Sequence, residues 1–244
     1  MITVATIEAR MTSQRLPGKV LLPADGKSML EHLVERLKMV SSIEKIVLAT
    51  TVNTTDDVLV ELAEHLSIDN YRGDENDVMS RVIGAAESVN ANIVVAITGD
   101  CPIIDPCIVE QTIQMFHANQ VDYASNAHVR SYPDGMDTQV FKLETLKKSA
   151  AMTTNSLDKE HVTLHIRNHP DIFSHVYLVA PPDIHWPELG LTLDELADYK
   201  LLKKIIEYFS TINPFFSCRD VVNLLREKPR WVDINASVVR HSDP

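Results

Sequence analysis

Long apolar runs are missing from this chain of 244 residues. Nothing approaches the ~20 consecutive apolar residues that a bilayer-spanning helix needs, so no membrane partner is expected. The amino terminus has no basic stretch followed by an apolar core, hence no secretory signal is expected and the cytoplasm is the expected location. Cysteine is scarce: Cys101, Cys107 and Cys218 are scattered, odd in number and without a C-x-x-C spacing. That excludes a disulfide framework or a zinc ribbon and leaves reduced thiols. Internal repeats, low-complexity stretches and linkers rich in Gly, Ser or Pro are also lacking. One domain spanning residues 1–244 is therefore expected, with room for a substrate-binding and dimer-forming insertion at about 128–188. Positive charge is short as well. The 23 Lys and Arg stand against 34 Asp and Glu, for a net charge of -11. No nucleic-acid partner is expected, because such a surface shows a broad basic stripe. A small basic pocket can still concentrate a polyanion locally.

What is present is an alternation. Runs rich in Val and Ile at 2–7, 45–50, near Tyr71 and at 93–97 read as strands covered on both faces. Between them, 29–39, 56–66, 78–89 and 106–118 read as helices. Ser28 and Glu31 have capping-box spacing, and Asp105-Pro106 reads as an N-cap followed by proline in the first turn. This order predicts an α/β fold with a doubly wound, mainly parallel sheet. Beyond Asp122 the rhythm changes. Strands are expected at 123–127, 136–141, 174–179 and 190–193, and helices at 143–151, 158–168, 195–211 and 218–228, the last capped by Ser217 and Asp220.

Three cations, Arg10, Arg15 and Lys19, crowd the segment after the first strand. The carboxyl end of a strand is where open α/β sheets bind ligands. A triphosphate enters a protein only with such countercharges. Ser13 lies in the same loop. Asp100, beside Gly99, directly follows the strand at 93–97, where an acid faces the ligand crevice. Magnesium takes hard oxygen ligands, and one or two carboxylates plus phosphate oxygens suffice; paired with the basic loop, Asp100 reads as a metal ligand rather than a turn or cap residue. Asp194 is the natural second ligand, although its place before a helix equally suits an N-cap.

The stretch Arg10-Met11-Thr12-Ser13-Gln14-Arg15-Leu16-Pro17-Gly18-Lys19 resembles the nucleotide loop of the cytidylyltransferases that make CMP-activated acidic sugars. Together with Thr98-Gly99-Asp100-Cys101-Pro102 and Leu191-Thr192-Leu193-Asp194-Glu195-Leu196-Ala197-Asp198-Tyr199, it identifies a member of that family. The likeness extends to the spore coat polysaccharide biosynthesis protein F type, kin of the CMP-Kdo and CMP-sialic acid synthetases. The resemblance implies a Rossmann-like nucleotide-diphospho-sugar transferase fold and a homodimer. It implies a Mg2+-dependent reaction of CTP with a nonulosonic or octulosonic acid, releasing pyrophosphate, with Asp100 and Asp194 on the metal. Lys19, Arg10, Arg15 and Asp100 are then the catalytic set. Arg10, Ser13, Arg15, Lys19, Arg72, Asp77 and Gly99 would bind the nucleotide. Asn126, Tyr132, Asp137, Gln139, Glu160 and His161, from segments that look like the family's sugar side, would bind the acceptor. Ala96 and Gly190 stand where many relatives carry arginine, Gln139 where glutamate is common and Lys159 where arginine is common. A weaker clamp on the sugar carboxylate is thus expected.

Two other functions fit a nucleotide fold: a glycosyltransferase-like protein, or a non-catalytic nucleotide binder. The first lacks an Asp-x-Asp motif, since Asp134 and Asp137 have the wrong spacing. The second would not need both the basic loop and the paired aspartates. His161, His165 and His169 fall at helical spacing, but without H-E-x-x-H they read as a helix face rather than a zinc site. Cys101 has no neighbouring base and reads as a packed thiol.

Overall fold

The computed structural model describes residues 1–240. Its strands are β1 (Thr3–Glu8), β2 (Pro23–Ala24), β3 (Lys27–Ser28), β4 (Lys45–Thr51), β5 (Asp69–Gly73), β6 (Ile93–Thr98), β7 (Tyr123–Ser125), β8 (Gln139–Lys142) and β9 (His175–Tyr177). Its helices are α1 (Met29–Leu37), α2 (Asp57–His65), α3 (Val78–Ser88), α4 (Pro106–Asn119), α5 (Leu143–Met152), α6 (Ser156–Glu160), α7 (Leu164–Asn168), α8 (Leu196–Ser210), α9 (Cys218–Glu227) and α10 (Pro229–Val232). Seven strands form one sheet in the order β5-β4-β1-β6-β8-β7-β9, and β2 and β3 make a small hairpin. β8 alone runs against its neighbours β6 and β7; the remaining pairs of the large sheet are parallel. The architecture is the expected α/β one, a mainly parallel sheet between helical layers.

Side chains of β1 alternate between two cores, as the period of two along a strand requires. Ala5 and Ile7 join α1, α2 and α4 on one face. Val4 joins α3, α5 and α7 on the other. A third core lies beyond the sheet, where α8 and α9 close over Tyr132, Met136, Leu189, Leu191 and Leu193.

The third core is tied to the sheet through polar atoms. One oxygen of the buried Asp105 caps α4 by accepting from the Cys107 N–H at 2.8 Å. The other accepts from the Cys218 N–H at 2.7 Å, at the start of α9. Buried Arg36 of α1 donates to the Phe216 carbonyl at 2.9 Å and lies 4.0 Å over the Phe216 ring.

Strand order reverses between β1 and β6. The chain steps from β1 out through β4 to β5, then returns to the other side of β1 as β6. That reversal opens a crevice at the carboxyl ends of both strands. Because β8 is antiparallel, its first residue, Gln139, pairs with Ala96 at that same edge. Residues 128–188 supply β8 and β9 to the main sheet and α5, α6 and α7 to its flank.

Two local expectations fail. The helix expected at 158–168 is broken into α6 and α7, with Val162 at φ 43° between them. His161 therefore leaves the stripe, while His165 and His169 stay together, their rings tilted by 31° with centroids 4.2 Å apart. The strand expected at 190–193 shrinks to a single bridge between Asp134 and Gly190, because the segment packs into the third core rather than extending the sheet. Among the described residues, no helix is long and apolar enough to cross a membrane.

Candidate active site

The basic loop starts where β1 ends. Its entry is fixed by Asp56, which is fully buried. One carboxylate oxygen accepts from the Met11 N–H at 2.8 Å. The other accepts from the Thr50 and Thr51 hydroxyls at 3.0 and 2.6 Å and from the Thr51 N–H at 3.2 Å. The loop closes on itself through the Gly18 N–H, which donates to the Met11 carbonyl at 2.9 Å. Arg10 is held at the loop's flank by Glu75 at 3.2 Å. Glu75 also takes the Asn53 amide at 2.7 Å.

Lys19 leaves this loop and enters the crevice. Its Nζ lies 2.9 Å from Asp100 Oδ2 and 3.0 Å from Asp194 Oδ1. Arg15 reaches the same Asp194 oxygen at 2.8 Å. Residues separated by most of the chain thus meet around one ammonium. Asp100 is carried by the turn after β6, where the Gly99 N–H bonds the Glu8 carbonyl at 2.9 Å. A Cβ on Gly99 would stand 2.8 Å from that carbonyl oxygen, so the close approach of this turn to β1 needs glycine. The Leu193 N–H donates to the Asp100 carbonyl at 2.8 Å and joins the two acid-bearing segments.

The alternative role of Asp194 is excluded by the helix start itself. Glu195 is the N-cap of α8, and Asp198 completes the capping box. The Asp194 side chain is thereby left to Lys19 and Arg15.

Charge on Lys19 is opposed by burial, but Asp100 and Asp194 outweigh that and raise its pKa above the ordinary lysine value. Burial likewise opposes the Asp100 carboxylate. Lys19 and hydrogen bonds from Thr98, Lys19 and the backbone overcome it and hold the pKa below the ordinary range. Burial pushes the Cys101 thiol well up, with Asp100 adding to the effect. A thiol so raised stays protonated and is a poor nucleophile.

Two cavities meet at the acid pair. The first, of about 540 Å³, is lined by Arg10, Ser13, Arg15, Lys19, Gly99 and Asp100, and also by Arg81, Glu160 and His161. The second, also of about 540 Å³, is lined by Arg130, Asp134, Asp137, Gln139, Arg167 and Arg240. Arg15, Thr98, Asp100, His161 and Asp194 line both.

Not every residue expected from the sequence reaches a cavity wall. Arg72 is committed to the Thr51 and Asn53 carbonyls at 2.8 and 2.7 Å and to Asp57 at 2.6 Å. Asp77 caps α3 through the Ser80 N–H at 2.9 Å and pairs with Lys159 at 3.1 Å. Asn126 is buried, donating to the Met136 carbonyl and accepting from the Thr138 N–H, both at 2.7 Å. Tyr132 packs into the third core, where burial lifts its hydroxyl to about 12. None of these four lines either cavity. Gln139 lines the second and accepts from the Tyr123 hydroxyl at 2.7 Å and from Thr163 Oγ1.

The expected shortage of cations near Ala96 and Gly190 is met from elsewhere. Arg130, Arg167 and Arg240 line the second cavity beside Ala96, and the Arg240 guanidinium fills the space over Gly190. Sequence reasoning missed these arginines, as it missed Asp56, Arg81 and Asp198. Arg81 had a readable signal, a cation on the core face of an otherwise apolar helix: it is buried and donates to the Ala49 and Asp74 carbonyls.

A family model described as Cytidylyltransferase matches residues 4–204. The spore coat polysaccharide biosynthesis protein SpsF of Bacillus subtilis is 32% identical over 228 residues, covering 91% of this chain and 93% of that protein. A 3-deoxy-manno-octulosonate cytidylyltransferase of Trichlorobacter lovleyi is 34% identical over 122 residues, covering 49% of this chain and 46% of that enzyme. The solved structure of a cytidylyltransferase from Leptospira borgpetersenii superimposes with a TM-score of 0.91 at 31% identity, covering 99% of this chain and 100% of that one.

Proposed function

The chain belongs to the cytidylyltransferase family, and from that premise we propose that it joins CTP to an acidic sugar of the nonulosonic or octulosonic type. The product is a CMP-sugar for surface polysaccharide or glycan synthesis, made in the cytoplasm. The observation that carries this reading is the meeting of Lys19, Arg15, Asp100 and Asp194 at the boundary of two cavities. One cavity, walled by the basic loop, takes the nucleotide. The other, walled by Arg130 and Arg167, takes the acceptor and its carboxylate.

A sugar hydroxyl attacks the α-phosphorus. The new bond joins the sugar oxygen to that phosphorus, the bond to the β-phosphate bridging oxygen breaks, and pyrophosphate leaves with those electrons. The hydroxyl proton passes to solvent. Lys19, Arg10 and Arg15 neutralise the phosphate oxygens and the departing pyrophosphate, Lys as a point charge and Arg through a two-pronged grip. Asp100 and Asp194 suit Mg2+: they are hard oxygen donors, and their spacing already admits a cation, the Lys19 ammonium, at 2.9 and 3.0 Å. When bound, the metal supplies Lewis-acid stabilisation of the phosphates and lowers the pKa of the acceptor hydroxyl.

A homodimer is part of this reading. Val129, Met152, Leu157 and Val179 expose apolar side chains in the segment between β7 and α8, and a second copy is the occupant we assign to them. Light scattering on the purified chain tests it; a monomeric mass at micromolar concentration overturns it. The reaction is tested by pyrophosphate release from CTP with Mg2+ and a panel of acidic sugars, against ATP and UTP. Release that depends on CTP, metal and one sugar class is expected. No release with any sugar overturns the assignment.

A further inference from the structure

The segment after α10 lies beyond the residues that the family model matches, yet it reaches the back of the site. Its route starts at Asp198, whose side chain is fully buried. One Asp198 oxygen accepts from the N–H groups of Asp194 and Glu195 at 3.1 and 2.9 Å. It therefore fixes the peptide that carries Asp194. The other oxygen accepts from Asn235 Nδ2 at 2.8 Å and from Arg240 Nη2 at 2.5 Å. Arg240 also donates through Nη1 to Thr192 Oγ1 at 2.8 Å. Asn235 donates to the Gly190 carbonyl at 3.0 Å. Residues 190–198 are thus gripped from behind by two residues of one terminal segment.

Gly190 makes this grip possible. A Cβ built there would stand 2.0 Å from Arg240 Nη2 and 2.3 Å from its Cζ. Neither atom can yield without giving up Asp198. Arg240 is the only cation within ion-pairing distance of the Asp198 carboxylate among the described residues, and a buried carboxylate stripped of its cation is strongly disfavoured.

We propose that Arg240 is a positioning residue for cytidylyl transfer: its guanidinium clamps Asp198 and so holds Asp194 against Lys19 and Arg15, in a seat that Gly190 leaves open. This rests on the function proposed above, because it treats the place of Asp194 as decisive for the reaction.

The test uses the full chain with Arg240→Ala, Arg240→Lys, Gly190→Ala and the Gly190→Ala/Arg240→Ala pair. Arg240→Ala should lower kcat by about 10- to 100-fold, the usual cost of losing a residue that orients a ligating group. KM for CTP and for the acceptor should stay within about threefold. Millimolar guanidinium should restore part of the lost rate, and urea none. Arg240→Lys should fall between, since it keeps the charge without the fork. Gly190→Ala should reproduce the defect, and the double variant should be no worse than either single one, because both break the same contact. A second readout needs no turnover: hydrogen exchange of residues 190–198 in the free protein should speed up in both single variants, while β4 stays protected. Wild-type kcat in Arg240→Ala, a defect confined to the acceptor KM, additive losses, or unchanged exchange would each overturn the proposal. Should Arg240→Ala fail to fold, Arg240→Lys and Gly190→Ala still decide it. If the wild-type chain releases no pyrophosphate, the proposed function falls, and the exchange readout still decides whether Arg240 holds the Asp194 segment.

Discussion

Asp100 and Asp194 contact one ammonium, but different kinds of structure hold them there. Asp100 stands at the end of β6, a strand paired on both sides. Its turn is bonded to the end of β1 through Gly99. Asp194 stands on an irregular segment with a single bridge, to Asp134. Its place depends on Asp198, Asn235 and Arg240. The side assigned above to the nucleotide is thus built by the sheet, and the side assigned to the acceptor by loops and side chains fastened to the third core. In the proposed reaction a regular frame serves the half that takes the triphosphate. The half proposed for the acceptor rests on contacts that can vary without disturbing the sheet, the arrangement by which one fold takes different ligands.

The largest effect is expected at the sheet-held acid. Asp100→Asn should cut pyrophosphate release by ~100-fold or more at every Mg2+ concentration, with the melting temperature nearly unchanged. Near-wild-type turnover would break the assignment of that side. Lys19→Met removes the group that joins the two sides. Its rate should fall by about 100-fold, with a higher KM for CTP, measured by the same release assay. Asp56→Asn separates the sides more finely. It loosens the entry of the basic loop, so kcat/KM for CTP should drop by about 10-fold while the acceptor KM holds. An equal change in both constants would show that the sides are not independently held.

The smallest effect is a pH signature in stability. Asp100 has a lowered pKa, so its contribution is complete above the ordinary carboxylate range and is lost as pH falls through the lowered value. Lys19 has a raised pKa, so its contribution is complete below the ordinary lysine value and is lost as pH rises through the raised one. The difference in urea midpoint between wild type and Lys19→Met should therefore be flat from about pH 5 to 9 and shrink on both sides. A slope inside that window would contradict the pairing.

Legibility in the sequence follows the same divide. β1, β4 and β6 announce themselves as Val- and Ile-rich runs, because strands covered on both faces carry few polar positions to blur the pattern. The basic loop and Asp100 were readable because they follow such strands directly. Asp194 was readable only by resemblance, since its local sequence suits an N-cap equally well. The break between α6 and α7 was hidden, because nothing in the residues around Val162 forbids a helix; its φ of 43° is imposed by the fold. Asn126 and Tyr132 carry side chains that could bind a sugar, yet packing turns both inward. Arg240 is 42 residues from the carboxylate it grips, and no periodicity spans that distance.

The doubly used carboxylate of Asp105 has a consequence for how the molecule comes apart. It closes the first turn of α4 on the sheet and of α9 in the third core, while Arg36 carries α1 across to Phe216. Neither layer can be released with its helix ends and buried charges satisfied. The two should therefore melt in one cooperative transition, with no long-lived species in which the sheet survives and the helical cap has peeled away.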